Sequence, residues 1–141
     1  MTAILIDANV LLDVMTEDAR WFAWSAEAIE SVADRYRLVV NPVIYAEVSI
    51  RYSRIEDLDA ALPKTMLDRE PIPYEAAFLA GKAYVSYRRR GGTRNLPLPD
   101  FFIGAHAAVA GSSLMTRDAA RYRTYFPKLP LIAPSGTPAS T

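Results

Sequence analysis

Near its start the chain places four apolar residues in unbroken succession, Ala3-Ile4-Leu5-Ile6, and Asp7 ends the run. A strand with one face in water alternates apolar and polar side chains. A run without alternation reads as a strand covered on both faces, as in a parallel sheet clad in helices. Leu38-Val39-Val40, followed by Asn41-Pro42, behaves in the same way, as does Leu114-Met115-Thr116, followed by Arg117-Asp118. Leu131-Ile132 is a last, shorter run.

Helical patterns lie between these runs. A short helix is expected over residues 9–14. Another over 21–35 carries Trp21, Trp24, Ala28, Ile29 and Val32 close to helical spacing. Pro42 opens a third helix, at a position where its missing N–H costs nothing. Residues 55–62 read as a short helix, and 74–90 as a longer one through Ala76, Ala80, Ala83, Tyr84 and Tyr87, ended by Gly91-Gly92. Further helices are expected from near Asp100 to Gly111 and over 117–125, whereas 64–72 has no clear period. Strands alternating with helices give an α/β fold with a central, mostly parallel sheet of about four or five strands flanked by helices. It spans residues 1–133, and a Pro/Ser/Thr/Gly-rich stretch at 134–141 reads as a flexible C-terminal tail.

Such sheets bind ligands at the carboxyl ends of their strands. Asp7 ends the first strand, Asp118 closely follows the third, and Glu47 lies in the first turns of the helix after the second. Topology alone steers three acids to one edge.

Charge gives that edge a context. The net charge is zero, but residues 1–75 carry fourteen acidic and seven basic side chains, and residues 76–141 carry two acidic and nine basic. The two acids of the basic half are Asp100 and Asp118. Seven of its nine cations are arginines, whose planar fork suits phosphate. Carboxylates held together repel unless a cation or shared protons relieve them. Hard divalent ions such as Mg²⁺ and Mn²⁺ prefer oxygen ligands and can promote attack on a phosphodiester. There is no cysteine and one histidine, His106, so thiolate metal sites, cysteine nucleophiles and a disulfide scaffold are excluded. The start of the chain has neither a basic leader nor an apolar run long enough for a signal or a membrane span, so a soluble cytoplasmic protein without membrane contact is expected.

Four segments, opening with Ile4-Leu5-Ile6-Asp7, Asn41-Pro42-Val43, Leu98-Pro99-Asp100 and Leu114-Met115-Thr116, together resemble the PIN-domain ribonucleases, and within them the VapC-like toxins of toxin–antitoxin pairs, over essentially the whole chain. Ile4-Leu5-Ile6-Asp7-Ala8-Asn9-Val10-Leu11-Leu12-Asp13 is similar to the first motif of the family. Asn41-Pro42-Val43-Ile44-Tyr45-Ala46-Glu47 is similar to the second, Leu98-Pro99-Asp100-Phe101-Phe102-Ile103-Gly104-Ala105 to the third, and Leu114-Met115-Thr116-Arg117-Asp118 to the fourth. The resemblance implies a metal-dependent endoribonuclease in which Asp7, Glu47, Asp100 and Asp118 hold one or two Mg²⁺ or Mn²⁺ ions and do the catalytic work. Asn9 and Thr116 would orient the carboxylates or a water. It also implies an RNA substrate, a homodimer, and a cognate antitoxin that covers the site with a C-terminal segment. A housekeeping RNA-processing nuclease on the same fold and a silent RNA- or protein-binding module are the alternatives. A phosphatase with Asp7 as nucleophile would want a second acid two residues on, where Asn9 stands.

Plainer roles exist for each residue. Asp7 and Asp100 are favoured helix caps, Glu47 can pair with Arg51 one turn on, and Asp118 can start a surface helix. Asp13 reads as a peripheral or solvated acid, with orienting a water, two turns beyond Asp7, as the alternative. Arg88, Arg89, Arg90 and Arg94 are the candidate RNA patch, which Arg117, Arg121 and Arg123 extend beside Asp118. Tyr84 and Tyr87 fit packing better than base stacking. His106, six residues beyond Asp100, points about 120° away from it on a helix and stays outside the metal set. Trp21, Phe22 and Trp24 read as core, or as a partner surface if exposed together.

Overall fold

A computed structural model of the chain describes residues 3–91 and 98–135. β1 (Ala3–Ile6) leads into α1 (Ala8–Met15) and α2 (Phe22–Ala33). β2 (Arg37–Val40) is followed by α3 (Pro42–Ser49) and α4 (Ile55–Ala61), and β3 (Asp68–Arg69) by α5 (Tyr74–Arg89) and α6 (Leu98–Ala110). β4 (Ser113–Met115), α7 (Ala119–Arg123) and β5 (Leu131–Ile132) complete the described order. The strands form one sheet in the order β3-β2-β1-β4-β5, and every pairing is parallel.

The sheet is built as its apolar runs dictate. All four residues of β1 are buried, and β1 sits at the centre with β2 on one side and β4 on the other. Ile6, Val10, Ile44, Val48, Ile103, Leu114 and Met115 are wholly buried between sheet and helices. Each such side chain contributes about 1.5–3 kcal/mol relative to exposure, which makes this layer the main source of stability. Gly91 and Gly111, at φ +73 and +70, end α5 and α6 in the left-handed region that glycine enters freely.

The ambiguous stretch 64–72 contains β3. Its two residues are polar, and ion pairs hold it: Arg37 on β2 reaches Asp68 at 2.8 Å and Glu70 at 2.6 Å. No apolar period exists there to read. The expectation for Asp13 is corrected. Asp13 is buried, accepting from Ser25 Oγ at 2.7 Å and from Arg117 Nε at 2.6 Å. Trp21 and Trp24 meet edge to face and are partly buried, while Phe22 is exposed, so the three do not form a single core cluster. Of the tail, residues 136–141 lie outside the described residues. No helix among the described residues is long and apolar enough to cross a membrane.

Strand order fixes where a ligand can enter. The chain runs from β1 outward to β2 and β3, then returns to β4 on the other side of β1. Connections therefore diverge at the β1/β4 boundary, and the crevice of a parallel sheet opens at the carboxyl end of such a switch point.

Candidate active site

Asp7 follows β1 directly at that boundary. Its backbone N–H bonds to Met115 O of β4 at 2.9 Å. Its Oδ1 accepts from Ala8 N at 2.8 Å, so the residue caps α1 as well as facing the crevice. Its Oδ2 accepts two hydroxyls, Thr116 Oγ1 at 2.8 Å and Tyr122 Oη at 2.9 Å. Burial pushes the Asp7 carboxyl up, and those two hydroxyls pull it back.

Thr116, just past β4, has every hydrogen-bonding capacity of its hydroxyl in use. It donates to Asp7 and accepts from Asp118 N at 3.1 Å and from Asn9 Nδ2 at 3.4 Å. Asn9 Nδ2 also reaches Asp118 Oδ2 at 3.3 Å, and Asn9 Oδ1 accepts from Arg117 N at 3.3 Å. One asparagine and one threonine thus tie the end of β1 to the loop that carries Asp118. Asp118 is the N-cap of α7 but makes no capping bond with its side chain.

Glu47 lies on α3, which starts from a well-built cap: Asn41 Oδ1 accepts Ile44 N at 2.9 Å and Pro42 occupies the first turn. With its oxygen so used, Asn41 offers Nδ2 to His106 Nδ1 at 2.9 Å. The His106 proton then sits on Nε2, 3.7 Å from Glu70 Oε1. His106 is buried and supports the helix that carries Glu47. Its own pKa is lowered by burial. No Glu47–Arg51 ion pair occurs among the described residues.

Asp100 is buried in the first turn of α6 and accepts from Arg121 Nη1 at 3.1 Å. Burial pushes Asp100 up to about 6, with Asp7 and Asp118 adding to the rise and Arg121 opposing it. Burial likewise pushes Glu47 up to about 7, with Asp7 and Asp100 contributing. These mutual influences place the four acids in one electrostatic neighbourhood, with Arg121 as a counter-charge within it. The donors are all oxygen, their charge is undercompensated, and a hard divalent cation is the group such a set suits. As the side chains stand, no three acids or histidines among the described residues close tightly enough to enclose an ion.

The arginines divide. Arg88, Arg89 and Arg90 are exposed at the end of α5, with Arg90 5.6 Å over the Tyr125 ring. Arg94 lies outside the described residues. Arg117, expected to extend the RNA patch, is instead held by Asp13 and lies 5.2 Å over the Trp21 ring. Tyr84 and Tyr87 pack against Phe101, and Tyr87 also meets Tyr125. Tyr122 was invisible to sequence reasoning. Its only signal is a position one turn beyond Asp118. It fits because Gly104 on α6 has no side chain: a methyl there would lie 2.5 Å from Phe126 Cε2 and 3.1 Å from Tyr122 Cδ1.

A fully parallel sheet with acids gathered at its switch point defines a class of α/β proteins built around an acidic crevice. Within that class the chain belongs to the PIN domain family, whose model matches residues 4–127. PIN domains are generally nucleases, typically dependent on divalent metal. The fold is similar to that of VapBC2 from Rickettsia felis bound to a promoter DNA fragment (TM-score 0.73, 14% identity, 94% of this chain and 98% of that one). It is also similar to VapBC-1 from nontypeable Haemophilus influenzae (0.70, 18%, 92% and 96%). A toxin–antitoxin complex from Klebsiella pneumoniae is a third relative in fold (0.64, 20%, 94% and 97%). No curated protein is significantly similar to the chain in sequence.

Proposed function

We propose that this chain is a divalent-metal-dependent endoribonuclease acting as the toxin of a toxin–antitoxin pair. The observation that supports the reading is the place of Asp7 and Asp118 just past β1 and β4, with Arg121 linking Asp118 to Asp100 and with Glu47 in electrostatic reach of Asp7 and Asp100. These four would hold one or two Mg²⁺ or Mn²⁺ ions, which supply a water activated for attack and relief of charge on the phosphoryl oxygens. Asp7 is oriented by Thr116 and Tyr122, and Asp118 by Asn9, so both carboxylates are aimed before a ligand arrives. Arg88, Arg89, Arg90 and Arg94 would draw the RNA backbone towards an otherwise repulsive acidic site.

Two surfaces support the expected partners. An apolar groove of about 390 Å³, lined by Val43, Ala46, Ile50, Leu98, Pro99 and Phe102, opens beside Glu47 and suits an apolar antitoxin segment reaching the site. Tyr74, Phe78 and Val85 form an exposed stripe along α5 that suits a second copy of the chain.

The test is RNA cleavage with Mn²⁺. Asp100→Asn, which keeps the shape and weakens a ligand for a hard cation, should abolish cleavage and leave the circular dichroism spectrum unchanged. Cleavage at the wild-type rate would remove Asp100 from the site. Growth arrest on expression in a bacterial host, relieved by Asp7→Asn and by the product of a short gene immediately upstream, tests the toxin reading separately.

A further inference from the structure

Arg121 stands inside the acidic cluster, not beside it. Its Nη1 donates to Asp100 Oδ2 at 3.1 Å and its Nε lies 3.6 Å from Asp118 Oδ2. Asp100 belongs to α6 and Asp118 to the loop before α7, so one guanidinium bridges two elements. The side chain is 46% exposed and can leave without disturbing the core. The neighbouring cation Arg117 is committed to Asp13 and does not share the task.

A guanidinium only donates hydrogen bonds, whereas a divalent ion needs the lone pairs of the same carboxylate oxygens. A divalent ion and the guanidinium are both cations, so at Asp100 Oδ2 and Asp118 Oδ2 they repel and crowd each other and compete for the same carboxylates.

We propose that Arg121 is an exchangeable internal counter-ion. It holds Asp100 and Asp118 in the ion-free protein and competes with a divalent cation for their oxygens. The proposal rests on the metal-dependent reading above. Two consequences follow from the geometry. The site demands a higher metal concentration than the four acids alone would. The released guanidinium, still tethered one turn past Asp118, is left beside the cluster where a phosphodiester must approach, and its fork fits phosphate oxygens.

The experiment is Mn²⁺ binding to the full chain without RNA, by isothermal titration calorimetry at pH 8. Arg121→Gln should bind Mn²⁺ about tenfold more tightly than wild type, the scale expected for two partly exposed ion pairs no longer broken on binding. Arg121→Lys keeps the charge but not the fork and should fall between the two. The ion-free Arg121→Gln protein should melt below wild type, and saturating Mn²⁺ should raise its melting temperature by more. Equal or weaker Mn²⁺ binding by Arg121→Gln overturns the proposal and leaves the metal reading standing. Absence of Mn²⁺ binding by the wild type overturns the metal reading, and the proposal with it.

Discussion

The phenol of Tyr122 donates to Oδ2 of Asp7 at 2.9 Å, and both residues are buried. A carboxylate that burial pushes towards protonation is kept aimed at the crevice by this bond and by that of Thr116. Tyr122→Phe retains the ring and deletes the donor. Hydrogen bonds to charged groups contribute about 1.5–3 kcal/mol, so urea denaturation at pH 8 should show a loss of that size. Cleavage should fall as well, through the misaimed Asp7. Unchanged stability would mean that the hydroxyl is not a partner of Asp7 in solution.

Arg117 and Asp13 form a partly buried ion pair, at 2.6 Å, between α1 and the loop that carries Asp118. Arg117→Ala strands a buried carboxylate and should cost about 3–5 kcal/mol. Arg117→Ala combined with Asp13→Leu should cost clearly less than the sum of the two single changes. A double-mutant cycle by denaturation reads this directly, and additive losses would deny the coupling.

Glu47 sets a pH dependence that can be isolated. In the fold it is pushed up to about 7 from an ordinary 4.5, with burial the first cause. The folded chain therefore binds this proton more tightly than the unfolded chain does. Its contribution to stability is complete below pH 4.5 and is lost as pH rises through about 7. His106 acts in the opposite direction and Asp100 in the same one, so whole-protein melting curves mix these groups. The comparison to make is ion-free Glu47→Gln against wild type. The variant should be the more stable at pH 8, with the advantage fading towards pH 4.5. An advantage of the same size at both pH values would show that Glu47 does not titrate in this window.

Gly104 is a packing requirement of the site. A Cβ there would stand 2.5 Å from the Phe126 ring, so Gly104→Ala must displace that ring and crowd Tyr122 beside it, 3.1 Å away. Overpacking of this kind costs about 1–3 kcal/mol. The expected result is a lower urea midpoint together with reduced cleavage. A stability gain from the better helix former would show that Phe126 yields freely.

The sheet was legible because its strands announce themselves as apolar runs, and Asp7 and Asp118 because each lies beside such a run. β3 was not legible, since Asp68 and Arg69 are polar and their strand exists only through pairing with β2. Asp13 was misread for a related reason. Its charged partner is 104 residues away, and no local pattern marks an acid as buried when the charge that compensates it comes from beyond a neighbouring strand. Arg121 and Tyr122 could be counted as a basic and an aromatic residue on a short helix. Their relation to Asp100 and Asp7 depends on how α7 docks against α6, which Gly104 and Phe126 decide.

The central place of β1 has a consequence for the birth of the protein. Of the strands in this sheet, the first to be made is the one whose second edge waits longest, because β4 is made after more than a hundred further residues. A nascent chain that already contains Asp7, Glu47 and Asp100 still lacks Thr116, Asp118, Arg121 and Tyr122. The crevice therefore cannot assemble until Tyr122 has been made, and a product cut short after Asp100 carries three of the four acids without the frame that aims them.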